Sequence, residues 1–136
     1  MQLRAFILGL VLMALGCGIA EAQSLSPMRK QGATPSDTKG FKLIVGNPYK
    51  QAMTFEIIPM DTKFETLAER AVVRPNEIRL GAGMQRTVTL AFKIPEGQKE
   101  RSIGVCVQPK DLAGSILPRV CGTYTGIALN GSGKGG

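Results

Sequence analysis

The sequence predicts an all-β chain, a single immunoglobulin-like β-sandwich of about seven strands, and three observations carry that expectation. Apolar and polar residues alternate at period 2 in several segments, and no segment beyond the first 22 residues sustains a period of 3.6. These segments are short and are separated by the turn signals Asn47-Pro48, Pro59, Gly81-Ala82-Gly83 and Pro95-Glu96-Gly97. Roughly 110 residues remain after an N-terminal leader, which suffices for one such sandwich. A small Greek-key barrel is the alternative.

Taken in order, residues 24–35 are polar with Pro27 and Pro35 near either end, which suits a loosely held edge strand. Phe41, Leu43 and Val45 then alternate with Lys42 and Ile44. Met53, Phe55 and Ile57 alternate with Thr54 and Glu56, and Pro59 is expected to end that strand. Residues 62–70 are too few and too poorly capped for a stable helix and are expected to form a loop. Val72-Val73-Arg74 and Ile78-Arg79-Leu80 fit short edge pieces. The clearest strand has Val88, Leu90, Phe92 and Ile94 on one face. Ile103, Val105 and Val107 share one face of the next strand, opposite Ser102, Gly104 and Cys106. In the last strand, within residues 120–129, Thr123, Thr125, Ile127 and Leu129 share a face with Cys121. The glycine-rich tail, residues 131–136, has nothing to pack and is expected to be disordered.

Residues 1–22 have the parts of a secretory signal: Arg4, an apolar run over residues 5–15, and the small pair Ala20 and Ala22 before the expected cut. The apolar run is shorter than the roughly 20 residues a membrane span needs. A periplasmic location follows, with lipidation at Cys17, after Ala14-Leu15-Gly16, as the rival fate of the leader. Loss of Cys17 with the leader leaves Cys106 and Cys121 as an even pair in an oxidising compartment, where a disulfide is expected. In a hairpin turning between Pro109 and Leu117 the two cysteines stand about opposite one another, and a disulfide there would staple the hairpin from its outer face. A redox-active pair would need an activated thiolate, for which the neighbouring residues give no support.

There is no His and no Trp among the 136 residues. Absence of imidazole excludes Ser-His-Asp and Cys-His nucleophiles, His-ligated zinc and a histidine switch. Glu65 and Glu69 fall in the expected loop rather than facing each other across a cleft, as paired catalytic carboxylates would. We expect no enzyme, no cofactor, no metal site and no small-molecule substrate. The net charge is +7, yet the cations are scattered, with Arg29-Lys30 the one adjacent basic pair, and aromatics make up 5% of the chain. Single-strand nucleic-acid binding calls for stacking aromatics beside the cations, so no nucleic-acid partner is expected. The charge is read mainly as solvated strand surface that deters aggregation.

From Pro75 to Leu90, the segment with Arg79, Leu80, Gly83 and Val88 at matching places resembles the N-terminal immunoglobulin-like domain of periplasmic pilus-assembly chaperones, the PapD-like family. Leu43-Ile44-Val45-Gly46-Asn47-Pro48 is similar to that family's second strand and turn, and Ile103 to Val107 to its sixth strand. The resemblance covers residues 23–130. It implies a chaperone-like module that pairs strands with pilus or envelope subunits, with an outer-membrane usher as a further partner. It implies a hairpin disulfide at Cys106 and Cys121, as in one branch of the family. It places partner binding on the last strand, at Thr123, Thr125, Ile127 and Leu129, and on the basic pair Arg29 and Lys30. The family's last-strand Lys has no counterpart between Gly126 and Asn130, and its second domain has none in this sequence. A structural subunit of a pilus or envelope assembly is the alternative function.

Overall fold

A computed structural model describes residues 25–110 and 119–129. The expected leader, the centre of the hairpin loop before Arg119 and the glycine-rich tail lie outside the described residues. Nine strands form a two-layer sandwich: β1 (Leu25–Ser26), β2 (Arg29–Thr34), β3 (Thr38–Gly46), β4 (Met53–Met60), β5 (Ala71–Arg74), β6 (Glu77–Leu80), β7 (Gln85–Lys93), β8 (Glu100–Pro109) and β9 (Val120–Ala128). One sheet has the order β1-β3-β7-β5 and the other β2-β9-β8-β4-β6. Every pairing is antiparallel except β2 with β9, which is parallel.

The period-2 segments become strands because each can bury one face and wet the other. Phe41, Leu43 and Val45 from β3 and Val88, Leu90 and Phe92 from β7 form a single core with Phe55 and Ile57 from β4 and Ile103, Val105 and Val107 from β8. Each such side chain contributes about 1.5–3 kcal/mol on burial, whereas an exposed ion pair contributes about 0–1 kcal/mol. The two salt bridges seen among the described residues, Lys93 with Asp37 and Lys110 with Glu77, are therefore minor beside the core.

Asn47 fastens the turn after β3. Its buried side chain donates from Nδ2 towards the carbonyls of Gln51, Leu80 and Gly81 at 2.8, 3.0 and 3.1 Å, and its Oδ1 accepts the Tyr49 amide at 2.9 Å. Its backbone pairs with Met84 and Gly83, where Gly83 takes the positive φ of 71° that the turn requires.

Three expectations need correction. The segment before Pro35 is two strands rather than one: β1 joins β3 in the first sheet, and after Pro27 the chain crosses to the second sheet as β2. The eight segments read from the sequence thus become nine strands, against the round figure of about seven. Pro59 does not end β4, which continues to Met60. Ile57 donates its amide to Asn76 and Pro59 accepts from Ala68 on the same side, so the missing N–H of Pro59 falls on the side away from the β8 ladder.

Residues 61–70 form a loop, as expected, but the loop has a job. Asp61 Oδ1 accepts the amides of Glu65 and Thr66 at 2.8 and 3.2 Å, closing a compact turn in which Phe64 has φ 59°. The bond from the Glu65 amide holds the Asp61 carboxyl below its ordinary range. The loop lies over the outer face of β8: a Cβ added at Gly104 would meet the Phe64 ring at 2.5 Å and the Asp61 carbonyl at 2.6 Å. Under this roof Met60 and Cys106 are buried although they point away from the main core. Cys106 and Cys121 are direct partners in the β8–β9 ladder, 4.1 Å apart at Cα, and are joined as a disulfide.

Candidate functional site

The residues singled out for partner binding fall on β2 and β9, which lie side by side. Arg29 stands opposite Thr123, Lys30 opposite Tyr124, Gln31 opposite Thr125 and Ala33 opposite Ile127. Arg29, Lys30, Thr123 and Thr125 line one shallow depression with Gln31. Leu129 follows β9, its side chain exposed and its amide bonded to the Thr34 carbonyl at 2.9 Å. The structure thus brings the basic pair and the last strand together.

It also changes which strand has a free edge. β9 is flanked by β8 on one side and β2 on the other, so the last strand is interior to its sheet, and β2 is the outermost strand. Met28 and Thr34 both turn their carbonyls to β9, accepting from Thr123 at 2.8 Å and Leu129 at 2.9 Å. By the alternation of a parallel ladder, Arg29, Gln31 and Ala33 direct their N–H and C=O groups to the open side. Among the six residues of β2 only Thr34 is buried, so the strand is held mainly by its hydrogen bonds to β9. Ser102 and Thr125 hydroxyls, 2.6 Å apart, continue the polar outer surface onto β8.

Behind this edge the sandwich closes by an unusual set of contacts that the sequence pattern did not bring out. The inward positions of β9 are Gly122, Tyr124 and Gly126. Tyr124 is fully buried, packs 6.0 Å from the Phe41 ring and donates its hydroxyl to the Pro27 carbonyl at 2.6 Å, a bond that fixes the crossover between sheets. Burial pushes its phenol far above the ordinary value. Gly126 pairs with Gly32, and the space they leave is filled by the stem of Lys39, whose Cβ lies 2.9 Å from where a Gly126 Cβ would stand. The Lys39 ammonium sits 4.9 Å and that of Lys30 5.9 Å from the Phe41 ring centre. Arg101 closes the same end, over Phe92 and donating to the carbonyls of Lys93 and Glu69 at 2.8 and 2.7 Å. The alternation of Gly122, Tyr124 and Gly126 is the one signal that marked this face in the sequence. Among the described residues no group of three His, Cys, Asp or Glu side chains converges as a metal site would.

No family model matches the chain, and no curated protein does. Solved structures do. The E. coli chaperone DraB is 17% identical with a TM-score of 0.63, over 77% of this chain and 54% of DraB. A structure of the Salmonella enterica SafA pilin in complex with the SafB chaperone gives 14% identity and a TM-score of 0.65, over 84% of this chain and 58% of that one. The PapD-like domain 7 of human CEP192 gives 13% and 0.54, over 84% and 91%. At these identities the likeness is one of fold: the chain is an immunoglobulin-like sandwich similar to PapD-like domains, and it spans about half the length of the chaperones it matches.

Proposed function

We propose that this chain is an exported, periplasmic binding module, without chemistry of its own, that pairs strands with pilus or envelope subunits during their assembly. The observation that carries the reading is the open edge of β2, where Arg29, Gln31 and Ala33 offer backbone donors and acceptors beside the exposed cations. An extended partner segment would take up those hydrogen bonds, and its alternate side chains would lie along the depression between β2 and β9. Arg29, opposite the outward Thr123, is exposed at one end of that edge, where an acidic group of the partner would be held by charge-assisted bonds, whereas Lys30 turns to the other face, its ammonium 5.9 Å from the Phe41 ring centre. The leader read in residues 1–22 supports export, and the chaperones DraB and SafB share the fold. An usher in the outer membrane is the further partner this reading implies. In the alternative, a structural subunit would give its N-terminal segment to a neighbour. Here that segment lies in its own chain's sheets as β1 and β2, which favours the binding module.

Gln31→Pro tests the edge, since it deletes an outward N–H while the ladder to β9 is kept. Capture of pilus subunits from periplasmic extract, identified by mass spectrometry, is expected to weaken about tenfold, the loss of one or two hydrogen bonds at about 1 kcal/mol each. Undiminished capture would sink the β2 edge as the site. Loss of capture only with the pair Ile127→Asp and Leu129→Asp would transfer the role to β9.

A further inference from the structure

We propose that the outer face of the four-stranded sheet is a docking surface for the anionic headgroups of a phospholipid membrane. The register of that sheet places its outward side chains in rows. Lys42, Thr89 and Arg74 form one row across β3, β7 and β5. Gly40, Ala91 and Val72 form the next, with Thr38 and Lys93 beyond it, and Ile44 with Thr87 lies on the other side. No Asp or Glu occupies an outward position of this face. Asp37, in the turn before β3, stands 3.9 Å from Lys93 at the end of the face. Among the described residues neither Lys42 nor Arg74 has a salt-bridge partner or a side-chain hydrogen bond, whereas Glu56, Glu77 and Glu100 all belong to the other sheet.

The shape of the face selects the kind of partner. Gly40, Thr87, Thr89 and Ala91 are short, so the stems of Lys42 and Arg74 rise above their neighbours, and a shallow depression lies beside them among Thr38, Val72, Ala91 and Lys93. The two cations are separated by two strand spacings, about 10 Å, so they add their attraction for a plane of negative charge with little mutual repulsion at physiological salt. Ile44 and Val72 are 41% and 42% exposed beside them, an apolar complement for the boundary between headgroups and acyl chains. A folded protein partner calls for aromatic anchors at its centre, and single-stranded nucleic acid for stacking rings. No outward position of this sheet carries an aromatic residue. A bilayer asks only for a continuous anionic surface. Docked this way, the module turns its five-stranded sheet, with the β2 edge, away from the membrane and towards an incoming subunit.

The test is co-sedimentation of the chain, purified after export, with vesicles of phosphatidylcholine containing about 30% phosphatidylglycerol, at about 50 mM and about 500 mM salt. Binding at low salt that is lost at high salt is expected. Lys42→Gln with Arg74→Gln should lower the partition coefficient roughly 25-fold, about fivefold for each cation. The swap Lys42→Arg with Arg74→Lys should keep it. Lys63→Gln with Arg79→Gln, which removes the same charge elsewhere, should change it less than about twofold. The proposal is overturned by failure to bind at low salt, by equal binding to phosphatidylcholine alone, or by equal loss in the two neutralised pairs. Preference for soluble polyglutamate over the vesicles would overturn it too, in favour of an acidic polypeptide.

Discussion

The two sheets share one core, but their outer faces are built on different terms. That of the four-stranded sheet is open and carries no acid at an outward strand position, and among the described residues no loop or cross-link covers it. The five-stranded sheet is roofed over β8 by residues 61–70, cross-linked at Cys106 and Cys121, and carries Glu56, Glu77 and Glu100 among its cations. The difference teaches that a strand's outward residues need not be solvent residues. Cys106 alternates away from the core and is nonetheless fully buried.

Substitutions can break this contrast in order of expected effect. The largest is loss of the disulfide: the variant Cys106→Ala with Cys121→Ala should unfold at lower urea, destabilised by about 3 kcal/mol for a closed loop of this size, with no equivalent lever in the other sheet. Next is the same small change made on each outer face. Gly104→Ala drives a methyl group into the Phe64 ring and the Asp61 carbonyl and should cost about 1–3 kcal/mol in urea titration. Gly40→Ala meets only the Leu90 carbonyl at 3.6 Å and should be neutral or stabilising by up to about 1 kcal/mol. Equal effects at the two glycines would mean that the roof yields freely. The smallest effect concerns how the roof is tied. The Asp61 carboxyl titrates lower in the folded chain than its ordinary 3.8, so its contribution is full above that value and fades as pH falls through the depressed folded one. Protection of the Glu65 and Thr66 amides from hydrogen exchange, measured against the intrinsic rate at each pH, should therefore fall in that acid range, and Asp61→Asn should abolish this pH dependence of the protection.

The legibility of the chain follows the same division. Strands that bury one full face declared themselves: Phe41, Leu43 and Val45, or Val88, Leu90 and Phe92, alternate because the core demands it. The hairpin disulfide was legible because equal spacing from the loop puts Cys106 opposite Cys121. β2 was illegible as a separate strand, since a mostly exposed edge needs no apolar period and its partner lies at the far end of the chain. For the candidate site, the sequence pointed to Arg29, Lys30 and the face of Thr123, Thr125, Ile127 and Leu129, which lie on neighbouring strands, but it assigned the pairing edge to β9. Nothing in residues 29–34 announces that they cover that strand. The inner face of β9 was missed for a related reason: Gly122 and Gly126 contribute space rather than side chains, and what fills it, the Lys39 stem, comes from the opposite sheet.

The parallel pairing of β2 with β9 also sets an order of events. Arg29 meets Thr123 and Thr34 meets Ala128, so the beginning of the fold cannot take its final place until its end has emerged. Contacts of such long sequence separation form late and slowly, because closing the intervening loop costs entropy before any bond is gained. From the emergence of β9 until that pairing forms, the open side of β9 is bare, and the nascent domain is itself a client in need of a strand.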